Sequence, residues 1–124
     1  MKDMSNPTPQ QIRDWAYTTD AVEPCQDWDL VLSWAQVEKV FFDLASEDHC
    51  PNRRFILRIL YLIVGDAVRT NFGSKPRYAV EGLIEKSNAY HHPDIERWRK
   101  KSLELLKHPE NFDYAIWCGG GLAN

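Results

Sequence analysis

Along this chain apolar residues recur at steps of three and four, and runs of strict alternation are absent, so the pattern predicts helices and no strands. Thr8-Pro9-Gln10-Gln11 has the form of a capping box with proline at the first helical position, followed by a short apolar face of Ile12, Trp15 and Ala16. After a loop from Thr18 to Gln26, Asp27 is the expected N-cap of a second helix reaching about Ser46. Leu30, Trp34, Val37, Phe41 and Leu44 alternate steps of four and three along it, with Val31, Ala35, Phe42 and Ala45 widening the face. That register puts Trp34 in the core.

Pro51 opens a third helix expected to run to about Phe72, with Gly73 as its stop. Phe55, Ile56, Leu57, Ile59, Leu60, Leu62, Ile63, Val64, Ala67 and Val68 cover most of its circumference, which marks it as central. A fourth helix over Ser74–Ser87 carries Val80, Leu83 and Ile84 on one side. A fifth starts at His92-Pro93-Asp94, holds Ile95, Trp98, Leu105 and Leu106 in register, and ends at Pro109. Asn111 to Trp117 forms at most a last short turn before Gly119-Gly120-Gly121. The expected fold is therefore all-α, a compact bundle of about five helices around a central hydrophobic helix at roughly 51–72. Residues 1–124 form one domain, with 1–7 and 119–124 as flexible ends.

Composition narrows the options without redirecting them. With 124 residues and a 44% hydrophobic fraction, one ordinary core is expected. The net charge of −3 lacks the basic footprint of nucleic-acid binding. Cys25, Cys50 and Cys118 are odd in number and widely spaced, which fits free thiols in a reducing compartment. The first residues hold no apolar run of a secretory signal, and Phe55–Val64 is too short to span a bilayer, so no membrane role and a cytoplasmic location are expected.

Charge distribution says more than the sum. No Lys or Arg lies between Arg13 and Lys39, while Asp14, Asp20, Glu23, Asp27, Asp29 and Glu38 do. Asp27-Trp28-Asp29 sets an aromatic between two acids at a loop–helix junction. Acids there favour the helix dipole, which is a sufficient structural reason for them. The functional reading is a surface of Asp20, Glu23, Asp27, Trp28 and Asp29 that meets a basic protein, with tryptophan as its anchor.

A second charged feature lies on the central helix. Arg54, Arg58, Tyr61, Gly65 and Arg69 share one side of it, and guanidiniums so arranged suit a planar anion, although a solvated or internally paired face is the commoner reason for such a stripe. Glu38 and Asp66 project among apolar residues, and buried carboxylates need partners. Arg58 and Arg69 are the expected ones, locking the second and third helices together by structural ion pairs.

Nothing else has a chemical signature. His91 and His92 are adjacent, and His92 and His108 each precede a proline where capping suffices. His49 and Cys50 lack zinc spacing, so no metal and no cofactor are expected. Cys118 has no nucleophile motif around it. The expected function is that of a non-enzymatic cytoplasmic protein that binds a basic protein partner. Bacterial immunity proteins and antitoxins, which neutralise basic toxins, are an analogy of size and charge. The alternative is a small helical enzyme or ligand-binding protein with an anion pocket beside Arg54, Arg58 and Arg69.

Overall fold

The computed structural model describes residues 6–122, and among these every regular element is helical. In chain order the α-helices are α1 (Pro9–Ala16), α2 (Trp28–Ser33), α3 (Glu38–Ala45), α4 (Arg53–Arg69), α5 (Arg77–Lys86), α6 (Pro93–Lys107) and α7 (Tyr114–Trp117). Single 3-10 turns at Ser87–Ala89 and Pro109–Asn111 lead into and out of α6. The expected all-α bundle with a central helix is what forms.

The axis of the molecule is α4. Residues 59 to 67 are buried without interruption, so the helix is covered on all sides. That requires other helices to surround it, and α2, α3, α5, α6 and α7 all pack on it. At its start Trp15, Trp28 and Phe55 form an aromatic cluster with ring centroids 4.7–5.7 Å apart. On the α3–α6 side Phe42 meets Trp98 edge-on at 5.5 Å, and on the α7 side Tyr61 meets Trp117 at 5.5 Å.

Local chemistry accounts for the helix ends. Thr8 and Gln11 form the reciprocal capping box at α1. The carbonyls left open where α1 stops are taken by Asn52, whose side-chain amide donates to Trp15, Ala16 and Thr18 at 2.9–3.2 Å. This ties α1 to the start of α4. At α6 the His92 ring accepts from the Asp94 backbone N–H at 3.1 Å, ahead of Pro93 at the first helical position.

Three expected boundaries are corrected. The helix expected from Asp27 to Ser46 is two helices. After Ser33 the hydrogen bonds tighten to the 3-10 pattern (Trp34 to Val31, Ala35 to Leu32), and Val37 leaves the helical region at φ −129°. The central helix ends at Arg69 rather than Phe72. There the Thr70 hydroxyl donates to the Asp66 carbonyl at 2.8 Å, and Asn71 and Phe72 turn left-handed before Gly73 is reached. The glycine-rich end is packed up to residue 122. Gly120 is buried at φ +84°, and Leu122 donates back to the Ile116 carbonyl at 3.4 Å. At the other expected flexible end Asn6 is exposed and Pro7 is buried, while residues 1–5 and 123–124 lie outside the described residues.

Two helical glycines make opposite predictions. A Cβ at Gly65 would sit 2.6 Å from Trp117 Cβ, so Gly65→Ala overpacks the α4–α7 contact and should cost about 1–3 kcal/mol. A Cβ at Gly82 meets nothing within 4 Å, so Gly82→Ala in α5 should stabilise by about 0.5–1 kcal/mol. Urea midpoints of the two variants, moving in opposite directions, are the check.

Candidate functional site

The loop from Tyr17 to Asp27 hands the chain from α1 to α2, and it carries most of the acidic segment. Asp20 and Asp27 are left-handed, at φ 60° and 55°, a conformation that aspartate tolerates better than most residues. Asp14, Asp20, Glu23 and Asp27 are all exposed. Asp14 accepts a hydrogen bond from Gln10 at 2.7 Å, and none of the four has an ion pair among the described residues. Nearby cations are engaged elsewhere. Arg13 makes a two-pronged pair with Glu47 at 2.9 and 2.7 Å, and Lys39 pairs with Asp43 at 2.8 Å.

Of the five residues expected to face a partner, Asp20, Glu23 and Asp27 do stand in solvent. Trp28 does not. It is fully buried against Trp15 and Phe55 and is a core residue. Asp29 is mostly covered as well; one carboxylate oxygen lies 3.4 Å from Arg58 Nε and the other accepts from the Leu30 backbone at 2.9 Å. The tryptophan that stands out is Trp34, 55% exposed where the helical register had placed it inside.

The arginine stripe does not form one open surface. Tyr61 is buried under Trp117, and Gly65 receives the same side chain. Arg58 is closed in by Asp29, the Phe55 ring at 5.0 Å and Gly120. Arg69 is exposed but pairs with Asp66 at 2.5 Å, and Arg54 is exposed one turn before Arg58. The C-terminal segment thus lies over the place where an anion pocket was expected, and the geometry gives that alternative no support.

The two acids expected to point inward each have a cation beside them, but neither pair locks the second helix to the third through Arg58 and Arg69 as expected, and Glu38 is only half-buried. Asp66 is buried and accepts from Arg69 in its own helix and from the Trp34 indole at 3.3 Å. Glu38 pairs not with an arginine but with Lys75 at 3.5 Å, which fastens the α4–α5 loop to α3. Burial pushes the Asp66 carboxyl up, yet the bonds from Arg69, Trp34 and Ser74 outweigh it and hold the group below the ordinary carboxylate range.

One network had no signal in helical periodicity. His92 Nε2 lies 2.7 Å from Asp48, and Arg53 reaches both Asp94 and the His92 ring. With one ring nitrogen accepting from the backbone, the other carries the proton and donates to Asp48. Both nitrogens are therefore committed, and the group staples the α3–α4 turn to the start of α6. Nor does Cys118 offer a nucleophile: burial, with Asp66 nearby, pushes its thiol up to about 11. Among the described residues no three His, Cys, Asp or Glu side chains are grouped to hold a metal ion.

A groove of about 710 Å³ lies between α1, α3 and the Ser87–Ala89 turn, with Pro9, Val37, Val40, Phe42 and Tyr90 on its walls. Its polar corner is already satisfied, since Tyr90 donates to Asp43 at 2.8 Å and Lys39 donates to the same carboxylate. Burial and that bond push the Tyr90 phenol up to about 12, so it stays protonated. Of its charged groups only Lys86 is without an ion pair among the described residues, so no acid and base stand free together there.

No family model matches the chain, and no curated protein or solved structure matches it either. Among the described residues no helix is long and apolar enough to cross a membrane.

Asp66→Asn should destabilise by about 1–3 kcal/mol, because Trp34 and Arg69 lose a charged acceptor in a buried place. Since its folded pKa is depressed, this contribution is complete above the unfolded value of about 3.9 and is lost as pH falls through the folded value. Denaturant midpoints of wild type and Asp66→Asn should therefore converge below about pH 4. A gap that persists unchanged at low pH would contradict the ionised pairing.

Proposed function

We propose that this chain is a non-enzymatic binding protein that engages a basic protein partner through the acidic segment between α1 and α2. The observation that carries this reading is the charge imbalance of that surface. Asp20, Glu23 and Asp27 are exposed without a cation among the described residues, while Arg13, Lys39 and Arg58 are each spent on another acid. Unpaired like charges on one loop repel one another, and a complementary basic surface removes that repulsion and speeds encounter. Phosphates and anionic lipid headgroups would be repelled by the same field.

An immunity- or antitoxin-type role, in which the acidic surface covers the basic face of a toxin inside the cytoplasm, is the specific form we favour. It draws on size and charge. The acids of the groove and the His92 network do not lead to an enzymatic reading, because they are paired internally.

The test is affinity capture with wild type and the variant Asp20→Asn/Glu23→Gln/Asp27→Asn, read quantitatively at two salt concentrations. A basic protein should be held by wild type, released as salt rises, and bound at least about tenfold more weakly by the variant, chiefly through slower association. A partner held equally by both proteins overturns the assignment of this surface.

A further inference from the structure

We propose that Trp34 is the anchor of this interface and that the partner lays an arginine side chain across its exposed ring. The inference rests on the acidic-surface reading and adds to it the position and chemistry of the anchor.

Trp34 is the one tryptophan exposed among the described residues. Its ring is not loose. The indole N–H donates to Asp66, which Arg69 holds in turn, so the edge is tethered to α4 while the residue stays 55% exposed. A large aromatic surface already fixed in place loses little freedom when a partner covers it, which is how interface anchors gain affinity.

Its place relative to the acids follows from helix geometry. Asp27 and Trp34 flank α2 as its N-cap and C-cap, about 10 Å apart along its axis, and both are exposed. Between them Leu30 is half-buried. The outer side of α2 thus runs from a free carboxylate, over an apolar step, to an aromatic plate, with Asp20 and Glu23 on the loop leading in. Trp28 and Leu32 occupy the opposite side, in the core.

This face needs a cationic occupant that can also cover a ring. A guanidinium does both, because it is planar, weakly hydrated, and stacks on indole within about 6 Å of the ring centre. Lysine satisfies the charge but not the stacking. A partner segment with two basic residues about 10 Å apart would reach Trp34 and Asp27 together.

The probe is an acetylated octa-arginine peptide, with octa-lysine and octa-glutamate as controls. Emission that disappears in Trp34→Phe belongs to Trp34, and its quenching by acrylamide reports exposure of that ring alone. Saturating octa-arginine should at least halve the quenching of this component, octa-lysine should protect it less, and octa-glutamate should leave it unchanged. Trp34→Ala should weaken octa-arginine binding about three- to tenfold, whereas Trp34→Phe, which keeps an aromatic face, should stay close to wild type. Should Trp34→Ala fail to fold, the protection of wild-type Trp34 and the Trp34→Phe affinity decide. If octa-arginine binds through Asp20, Glu23 and Asp27 but leaves Trp34 fully quenchable, the anchor is wrong and the acidic surface stands. Binding that ignores the three acids, or no binding at all, overturns both. Shielding of Trp34 that grows with concentration of the protein alone assigns the face to a second copy and overturns the arginine.

Discussion

Covering α4 on every side is the constraint from which the rest of the molecule follows. A helix with nine consecutive buried residues can tolerate polar side chains only where a neighbour supplies a partner, since an unpaired buried polar group costs roughly 1–3 kcal/mol. Three charged groups of α4 each meet a different element, although Arg53 and Arg58 keep a buried Nε without a hydrogen bond. Arg53 takes Asp94 at the start of α6, Arg58 takes Asp29 in α2, and Asp66 takes the Trp34 indole just past the end of α2. The apolar surface sets how tightly the outer helices gather, and these pairs set which position of each one faces α4. Gly65 and Gly120 complete the arrangement where the C-terminal segment crosses the helix, one giving way to Trp117 and the other to Arg58.

The central helix was legible because its pattern is long and insensitive to register: with apolar residues on nearly every side, any rotation leaves it buried. The capping box and His92-Pro93 are local chemistry and equally plain; each supplies the expected cap to a backbone N–H. The acidic second segment was legible in composition but not in orientation. Phe41 and Leu44 are truly inward in α3, and extending their phase back gives Val37, Trp34 and Leu30. The core residues of α2 are instead Trp28 and Leu32, two positions away and so about 200° around a helix. The break at Ala35–Val37 contains no proline or glycine, so nothing local announces it. It exists because two short helices can each turn a face to α4, whereas one straight helix would leave one end unpacked.

That half-turn exchanges the two tryptophans. Trp28, flanked by acids, looked like a surface residue, while Trp34, in the midst of an apolar repeat, looked like core. Each has the place expected of the other. The ion pairs shifted for the same reason: once α2 is separated from α3, Asp29 rather than Glu38 arrives beside Arg58, and Glu38 is left to Lys75. The C-terminal glycines were misread by a different route. Glycine runs suggest slack, but Gly120 is small because Arg58 lies against it, a reason visible only once the chain has folded back.

Charge use in the structure explains why the acids of the first third remain unanswered. The cations nearest to them in sequence are already paired. Arg13 grips Glu47 between α1 and the end of α3, Lys39 pairs with Asp43, and Arg58 draws in Asp29. Redirecting Arg13 or Arg58 to neutralise Asp20 or Glu23 would cost the contacts that seat α1 or α2. Stability therefore supplies no force that compensates the loop internally, and the negative field over α2 is what the fold leaves outside. An exposed aromatic ring held rigid within that field is the combination that a cationic, planar side chain fits best.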